Sequence, residues 1–275
     1  MNRIDAVFND LRKSQGKAVI PYVTCGYPSL DFTKELISVL AEAGADLIEI
    51  GVPYSDPVAD GPTIQKASAR ALTAGITLDK IFRLVEEVRG KCQVPLIMMT
   101  YYNPIYVTGV ENFIKKAAAA GVDGLIIPDL PVEEAGHLSE VAERSGLRTI
   151  FLVAPTSTSE RIEKIAGISR GFIYCVSVTG VTGARKEVSE GLEDFLKRIR
   201  LSTELPLAVG FGISGPETAR QAAEYADGVI VGSALIQKIE ENVAGEDYSK
   251  ALQEAAAFIK ELKGAVDSKS APNDL

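Results

Sequence analysis

The chain has 275 residues, of which 46% are hydrophobic and 24 are glycine, a composition that excludes a disordered or collagen-like polymer and leaves material for a globular core. Twenty-nine basic against 37 acidic residues give a net charge of -8, so no basic footprint for nucleic acid is present, although backbone amides can still bind an anion locally. Cys25, Cys92 and Cys175 are too few and too scattered for a disulfide scaffold or a CxxC zinc site, which favours a reducing compartment.

Ile4, Val7, Phe8 and Leu11 recur at helical spacing near the amino terminus. They predict an amphipathic helix packed over one end of the fold; the segment is neither a signal core nor a membrane span. Eight short apolar runs then follow, at 19–24, 47–51, 96–100, 124–127, 149–153, 172–176, 207–210 and 228–231. Each is continuously apolar instead of alternating, as expected of parallel strands covered on both faces. Helical patterns separate them, as in DFTKELISVLAEAGAD, ENFIKKAAAAGVDG, VEEAGHLSEVAERSGLR and GPETARQAAEYADG. Three of these ends share the form Ala-Gly-Val/Ala-Asp or Ala-Asp-Gly just before a strand, which suggests one repeated βα unit.

Eight such units predict an α/β fold of the (β/α)8 TIM-barrel type with an additional N-terminal helix, an open Rossmann sheet being the alternative. The barrel domain is expected over residues 1–264, with 265–275 a frayed tail. Two loops exceed simple βα turns: VPYSDPVADGPTIQKASARALTAG after the second strand, followed by a helix from about Thr77 to Val88, and SVTGVTGARKEVSE after the sixth. Both follow the carboxyl end of a strand, the face on which barrels build their sites, and so are expected to act as lids.

Glu49 interrupts the apolar strand LIEIG and shares a side with Leu47 and Gly51. The spacing alone leaves open whether that side is the barrel interior. In either setting a buried carboxyl is paired, partly protonated or placed for use, and burial would raise its pKa into the range of a general acid and base. Asp60 follows on the loop, with Asp56 as a competitor; either can also be an ordinary turn former. No metal constellation accompanies them: His137 stands alone on a helix, and Cys25 and Cys175 read as small buried hydrophobes. Gly180 with Thr182 and Gly183, then GFGISGPE, then VGSALI follow the last three strands, and their conjunction predicts a phosphate site, with Ser233 at a helix start. GxGxxG after the first strand and GxxxxGK[ST] are both missing, which argues against a dinucleotide or nucleoside triphosphate.

PYVTCGYP from Pro21, DLIEIGVPYSDPVADGP from Asp46, PDLPVEE from Pro128, YCVSVTGVTGAR from Tyr174 and GFGIS from Gly210 together resemble the tryptophan synthase alpha chain family over nearly the whole chain. That resemblance implies a lyase that cleaves indole-3-glycerol phosphate to indole and D-glyceraldehyde 3-phosphate, a retro-aldol reaction of tryptophan biosynthesis needing neither Schiff base nor metal. It implies Glu49 as the acid/base and Asp60 as the group holding the indole N–H. Tyr174 matches the pocket tyrosine, and Tyr22, Met99 and Ile126 match the apolar indole slot. Gly183, Phe211, Gly212, Gly232 and Ser233 match the phosphate cradle, and Thr182 matches a lid threonine that meets the aspartate on closure. Tyr22 stands where the family often has phenylalanine, and Cys25, Tyr101 and Ile127-Pro128-Asp129 read as local variants. The resemblance further implies a beta-chain partner in an α2β2 complex, pyridoxal phosphate in that partner only, no cofactor in this chain, and a cytoplasmic, membrane-free location.

Overall fold

In the computed structural model, which describes residues 1–176, 187–210, 212–243 and 248–267, the predicted apolar runs pair as parallel strands. They are β1 (Ala18–Thr24), β2 (Ile48–Gly51), β3 (Leu96–Met99), β4 (Gly124–Ile126), β5 (Arg148–Ile150), β6 (Leu152–Val153), β7 (Ile173–Val176), β8 (Leu207–Gly210) and β9 (Gly228–Val231). The lateral order is β5-β4-β3-β2-β1-β9-β8-β7-β6. Since β5 and β6 are halves of one predicted strand interrupted at Phe151, the two ends of this order meet and the sheet curls into an eight-position barrel. The pairing of β1 with β9, Ala18 opposite Gly228 and Ile20 opposite Ile230, joins the first strand to the last and sets the open-sheet alternative aside.

Twelve helices surround the strands among the described residues: α1 (Arg3–Ser14), α2 (Leu30–Glu42), α3 (Pro62–Thr73), α4 (Leu78–Arg89), α5 (Tyr102–Thr108), α6 (Val110–Ala120), α7 (Gly136–Arg144), α8 (Ser159–Ile168), α9 (Glu187–Arg200), α10 (Pro216–Ala223), α11 (Ser233–Asn242) and α12 (Ser249–Asp267). Local chemistry starts several of them. Ser29, Thr77 and Thr158 accept from the amides of Phe32, Lys80 and Arg161 at the heads of α2, α4 and α8, and Pro62 opens α3. The last helix runs to Asp267, past the expected boundary at 264, because Val266 remains buried in its packed face.

Strand parity separates two apolar layers. Ala18, Ile20, Leu47, Ile97, Ile126, Ile150, Phe172, Tyr174, Ala208 and Ile230 fill the barrel interior, while the alternate strand residues pack under the helices. The amino-terminal helix closes one end, as expected. Ile4 and Phe8 of α1 belong to the interior cluster, Phe8 meets Phe172 at 5.5 Å between ring centroids, and Gly124 makes room for Ile4, whose Cδ1 would lie 2.7 Å from an added Cβ.

The recurrent aspartate before a strand has a structural role at that same end. Asp46, Asp123 and Asp227 each donate a backbone N–H to the carbonyl of Val19, Leu96 or Leu207 on the neighbouring strand. Their carboxylates then accept the backbone N–H of those same three residues, at 2.8 Å in every case. A cation holds each carboxylate from outside: Lys263 on Asp46, Arg89 with Arg3 on Asp123, and Arg200 on Asp227. The repeated motif therefore clamps strand pairs β1/β2, β3/β4 and β8/β9 at their entry. The opposite, carboxyl end is left to the loops.

Candidate active site at the barrel mouth

Glu49 lies on β2 two residues beyond Leu47, which fills the interior, so its side chain points into the barrel. In register it stands between Tyr22 of β1 and Ile97 of β3. It is 1% exposed, and neither carboxyl oxygen meets a hydrogen-bond partner. Burial, reinforced by the charge of Asp60, pushes its pKa from the ordinary 4.5 up to about 8. A group in that condition is protonated at neutral pH and can both give and recover a proton.

Asp60 comes from the loop that overhangs β2. Backbone turns organise that loop, with the Val58 amide on the Asp56 carbonyl and the Asp60 amide on the Pro57 carbonyl. Tyr101, just after β3, fastens it from the side: its Oη accepts the Ala59 amide at 2.9 Å, and its ring stacks on Tyr54 at 4.9 Å. Burial pushes the Asp60 pKa up to about 6, while the hydrogen bond from Tyr101 pulls the other way. Asp56 is exposed and accepts from Ser55 Oγ, so the two loop aspartates have separate settings. Tyr101 was legible in the sequence only as a variant position; nothing in its spacing marks it as the loop's anchor.

Two more tyrosines converge on the carboxyls. Tyr174 of β7 is buried over Gly210, and its phenol is raised by desolvation and then by Glu49, Tyr22 and Asp60. Tyr22 lies over Gly51 and borders Gly232, where an added Cβ would meet the Tyr22 Cβ at 3.4 Å. Met99 and Ile126, at the ends of β3 and β4, belong to the same interior cluster. Six of the expected residues, Glu49, Asp60, Tyr22, Tyr174, Met99 and Ile126, thus share one mouth.

The segment expected to bind an anion adjoins Tyr22 at Gly232. Gly232 follows β9 as the N-cap of α11, no side chain caps that helix, and Ser233 at its first position is exposed. Its first amides face the barrel mouth with the positive end of the helix dipole. Gly212 holds a φ of +80°, which favours glycine. Beyond Ile213, the amides of Ser214 and Gly215 already donate to Thr218 Oγ1. Thr182, Gly183 and Phe211 lie outside the described residues, as does most of the expected lid. Elsewhere, His137 is exposed beside Glu111, and the thiol of Cys25 is buried and pushed up to about 12. No cluster of three metal-ligating side chains occurs among the described residues.

Known proteins resemble this chain along nearly its whole length. A family model described as tryptophan synthase alpha chain matches residues 8–267. The tryptophan synthase alpha chain of Geotalea daltonii is 54% identical over 91% of this chain and 95% of its own length. That of Synechocystis is 50% identical over 97% of this chain and all of its own. Among solved structures, tryptophan synthase subunit alpha from Legionella pneumophila superposes with a TM-score of 0.89 at 39% identity, covering 97% of this chain and 99% of that one. A chain from Mycobacterium tuberculosis tryptophan synthase superposes with a TM-score of 0.88 at 38% identity, covering 98% and 99%.

Proposed function

The chain belongs to the tryptophan synthase alpha chain family, lyases that act on indole-3-glycerol phosphate in tryptophan biosynthesis, and from that premise we propose a metal-free acid/base cleavage centred on Glu49 and Asp60. The observation that carries the mechanism is a pair of carboxyls in unequal settings: Glu49 enclosed without a partner, with a pKa of about 8, and Asp60 less enclosed, at about 6. Near neutral pH the first is an acid and the second an anion.

Glu49 gives its proton to C3 of the indole ring, and Asp60 holds the ring N–H and stabilises the positive charge that develops. The Glu49 carboxylate then takes the proton of the side-chain hydroxyl next to the ring. As that oxygen becomes a carbonyl, the bond to C3 breaks and its electron pair returns to the ring, releasing indole and D-glyceraldehyde 3-phosphate. Glu49 ends protonated as it began. A Schiff-base route would need a strand lysine, and β1 to β9 contain none.

Tyr22, Met99 and Ile126 form the apolar slot for the ring, with Tyr174 as the pocket tyrosine beside Glu49. Gly212, Gly232 and Ser233, with Gly183 and Phe211, form the phosphate cradle through backbone amides, and Thr182 reaches Asp60 when the lid closes. Support for the cradle is the uncapped head of α11 and the left-handed Gly212.

Relatives of this family carry the name of one chain of a complex, and a beta chain is the partner. The finer assignment is an α2β2 assembly in which the beta chain alone carries pyridoxal phosphate and takes indole through an internal passage. Val58 on the Asp60 loop and Tyr106 and Val107 on α5 are 84%, 71% and 76% exposed, apolar side chains beside the mouth that suit a docking partner. Cytoplasmic work fits three buried, free thiols.

Replacing Glu49 with Gln tests the mechanism. Binding of indole-3-glycerol phosphate is expected to persist while cleavage falls by at least about a hundredfold, the usual worth of a general acid/base. Unchanged turnover would remove Glu49 from the chemistry.

A further inference from the structure

Asp60 can serve the ring N–H only if its carboxylate stands where the ring arrives, yet it is carried on a loop and not on a strand. Turns at Val58 and Asp60 give the loop its local shape, and Gln65 Nε2 of α3 holds the Asp60 carbonyl at 2.9 Å. These partners all lie on one stretch of chain between β2 and α3, so they shape the loop without fixing it over the barrel. Tyr101, just after β3, supplies a reference from outside that stretch. It is 4% exposed, its Oη accepts the Ala59 amide at 2.9 Å, and its ring stacks on Tyr54 at 4.9 Å with the planes 24° apart. The backbone on either side of it is pinned to β4 and the loop that follows: the Thr100 amide donates to the Ile126 carbonyl at 3.0 Å, and the Tyr102 amide donates to the Asp129 carboxylate at 2.8 Å. A phenylalanine would keep the stack. The hydroxyl is what reaches the amide one residue before Asp60, and after accepting that N–H it still has a proton of its own to give.

Building on the cleavage reading above, we propose that Tyr101 is a positioning residue for Asp60: braced by Tyr54, its hydroxyl takes the Ala59 amide and gives its proton to the Asp60 carboxylate, which sets the aspartate before the substrate arrives. One oxygen then governs two adjacent residues. The bond to Ala59 fixes where the backbone of residue 60 begins, and the bond to Asp60 fixes which way its carboxylate turns. An anion placed in advance needs no reorganisation as positive charge develops on the ring. Glu49 is held independently, by the register of β2 with β1 and β3. Loss of the Tyr101 hydroxyl therefore leaves the acid/base and the phosphate cradle in place and misplaces Asp60, which lowers the rate of cleavage more than the binding of substrate.

The test uses the full chain with a beta chain in excess, in wild-type, Tyr101→Phe, Asp60→Asn and doubly substituted forms. Tyr101→Phe is expected to lower kcat for indole-3-glycerol phosphate by at least about tenfold while KM stays within about twofold. In the Asp60→Asn background the same substitution is expected to change kcat by less than about twofold, because its effect passes through the carboxylate. Tyr54→Leu, which removes the brace and leaves the hydroxyl, is expected to give a smaller loss of kcat in the same pattern, and it carries the test if Tyr101→Phe does not fold. A second readout needs no turnover: hydrogen exchange at the Ala59 amide of the full chain is expected to quicken by at least about tenfold in Tyr101→Phe. An unchanged kcat in Tyr101→Phe, an equal loss in the Asp60→Asn background, or an unmoved Ala59 exchange rate would overturn the proposal. A wild-type chain that fails to cleave the substrate would refute the cleavage reading, while Ala59 exchange would still decide whether Tyr101 holds the loop.

Discussion

Glu49 shows how one residue can be decided by its surroundings. In the unfolded chain its carboxyl titrates near 4.5, and in the barrel near 8. Between those values the unfolded form has released a proton that the folded form still holds, so stability falls as pH rises from about 4.5 to about 8. Glu49→Gln removes that penalty. Its melting temperature is expected to exceed that of the parent by a margin that widens across this interval and then levels off, as scanning calorimetry at several pH values would show. A constant margin would mean that Glu49 is not held neutral by burial. Asp60 was harder to read from sequence, because Asp-Pro and Asp-Gly steps are plain turn chemistry and Asp56 occupies the same loop. Its distinction comes from Tyr101, a residue 41 positions downstream that the fold brings against the Ala59 amide.

At the level of elements, the eight apolar runs were visible because strands buried on both faces leave an uninterrupted apolar record. The break at Phe151 was not, since nothing in the run 149–153 separates two short strands from one. Nor was α5, a seven-residue helix with Pro104 inside it. The Ala-Gly-Val-Asp and Ala-Asp-Gly endings were legible as a repeat, but their purpose needed the register. Each aspartate ties its own strand to the preceding neighbour through the carboxylate and the backbone, and a cation encloses it. Asp123 is the most enclosed of the three, with a side chain 4% exposed. Replacing it with Asn leaves Arg89 facing a neutral partner in a half-buried site and is expected to cost about 3 kcal/mol in denaturant unfolding. The exposed Asp10, paired with Lys13, is the control, and Asp10→Asn is expected to change stability by less than about 0.5 kcal/mol. Equal effects of the two substitutions would show that the clamp does not hold the strands.

For the whole molecule, the barrel divides its labour between two ends. The amino end is closed by α1 and tied by the aspartate clamps, and the carboxyl end holds the two carboxyls, the proposed phosphate cradle and exposed apolar side chains. A partner that docks at the mouth would cover Val58, Tyr106 and Val107, so Val107→Asp is expected to weaken beta-chain binding by tenfold or more in a titration. It should leave cleavage without the partner unchanged, and an unaltered affinity would place the interface elsewhere. The most direct single measurement is indole release from indole-3-glycerol phosphate by this chain with a beta chain in excess, so that incomplete loop closure does not hide the chemistry. Indole should form with the wild-type chain and be lost with Glu49→Gln; no indole from the wild-type chain despite a formed complex would contradict the assigned reaction.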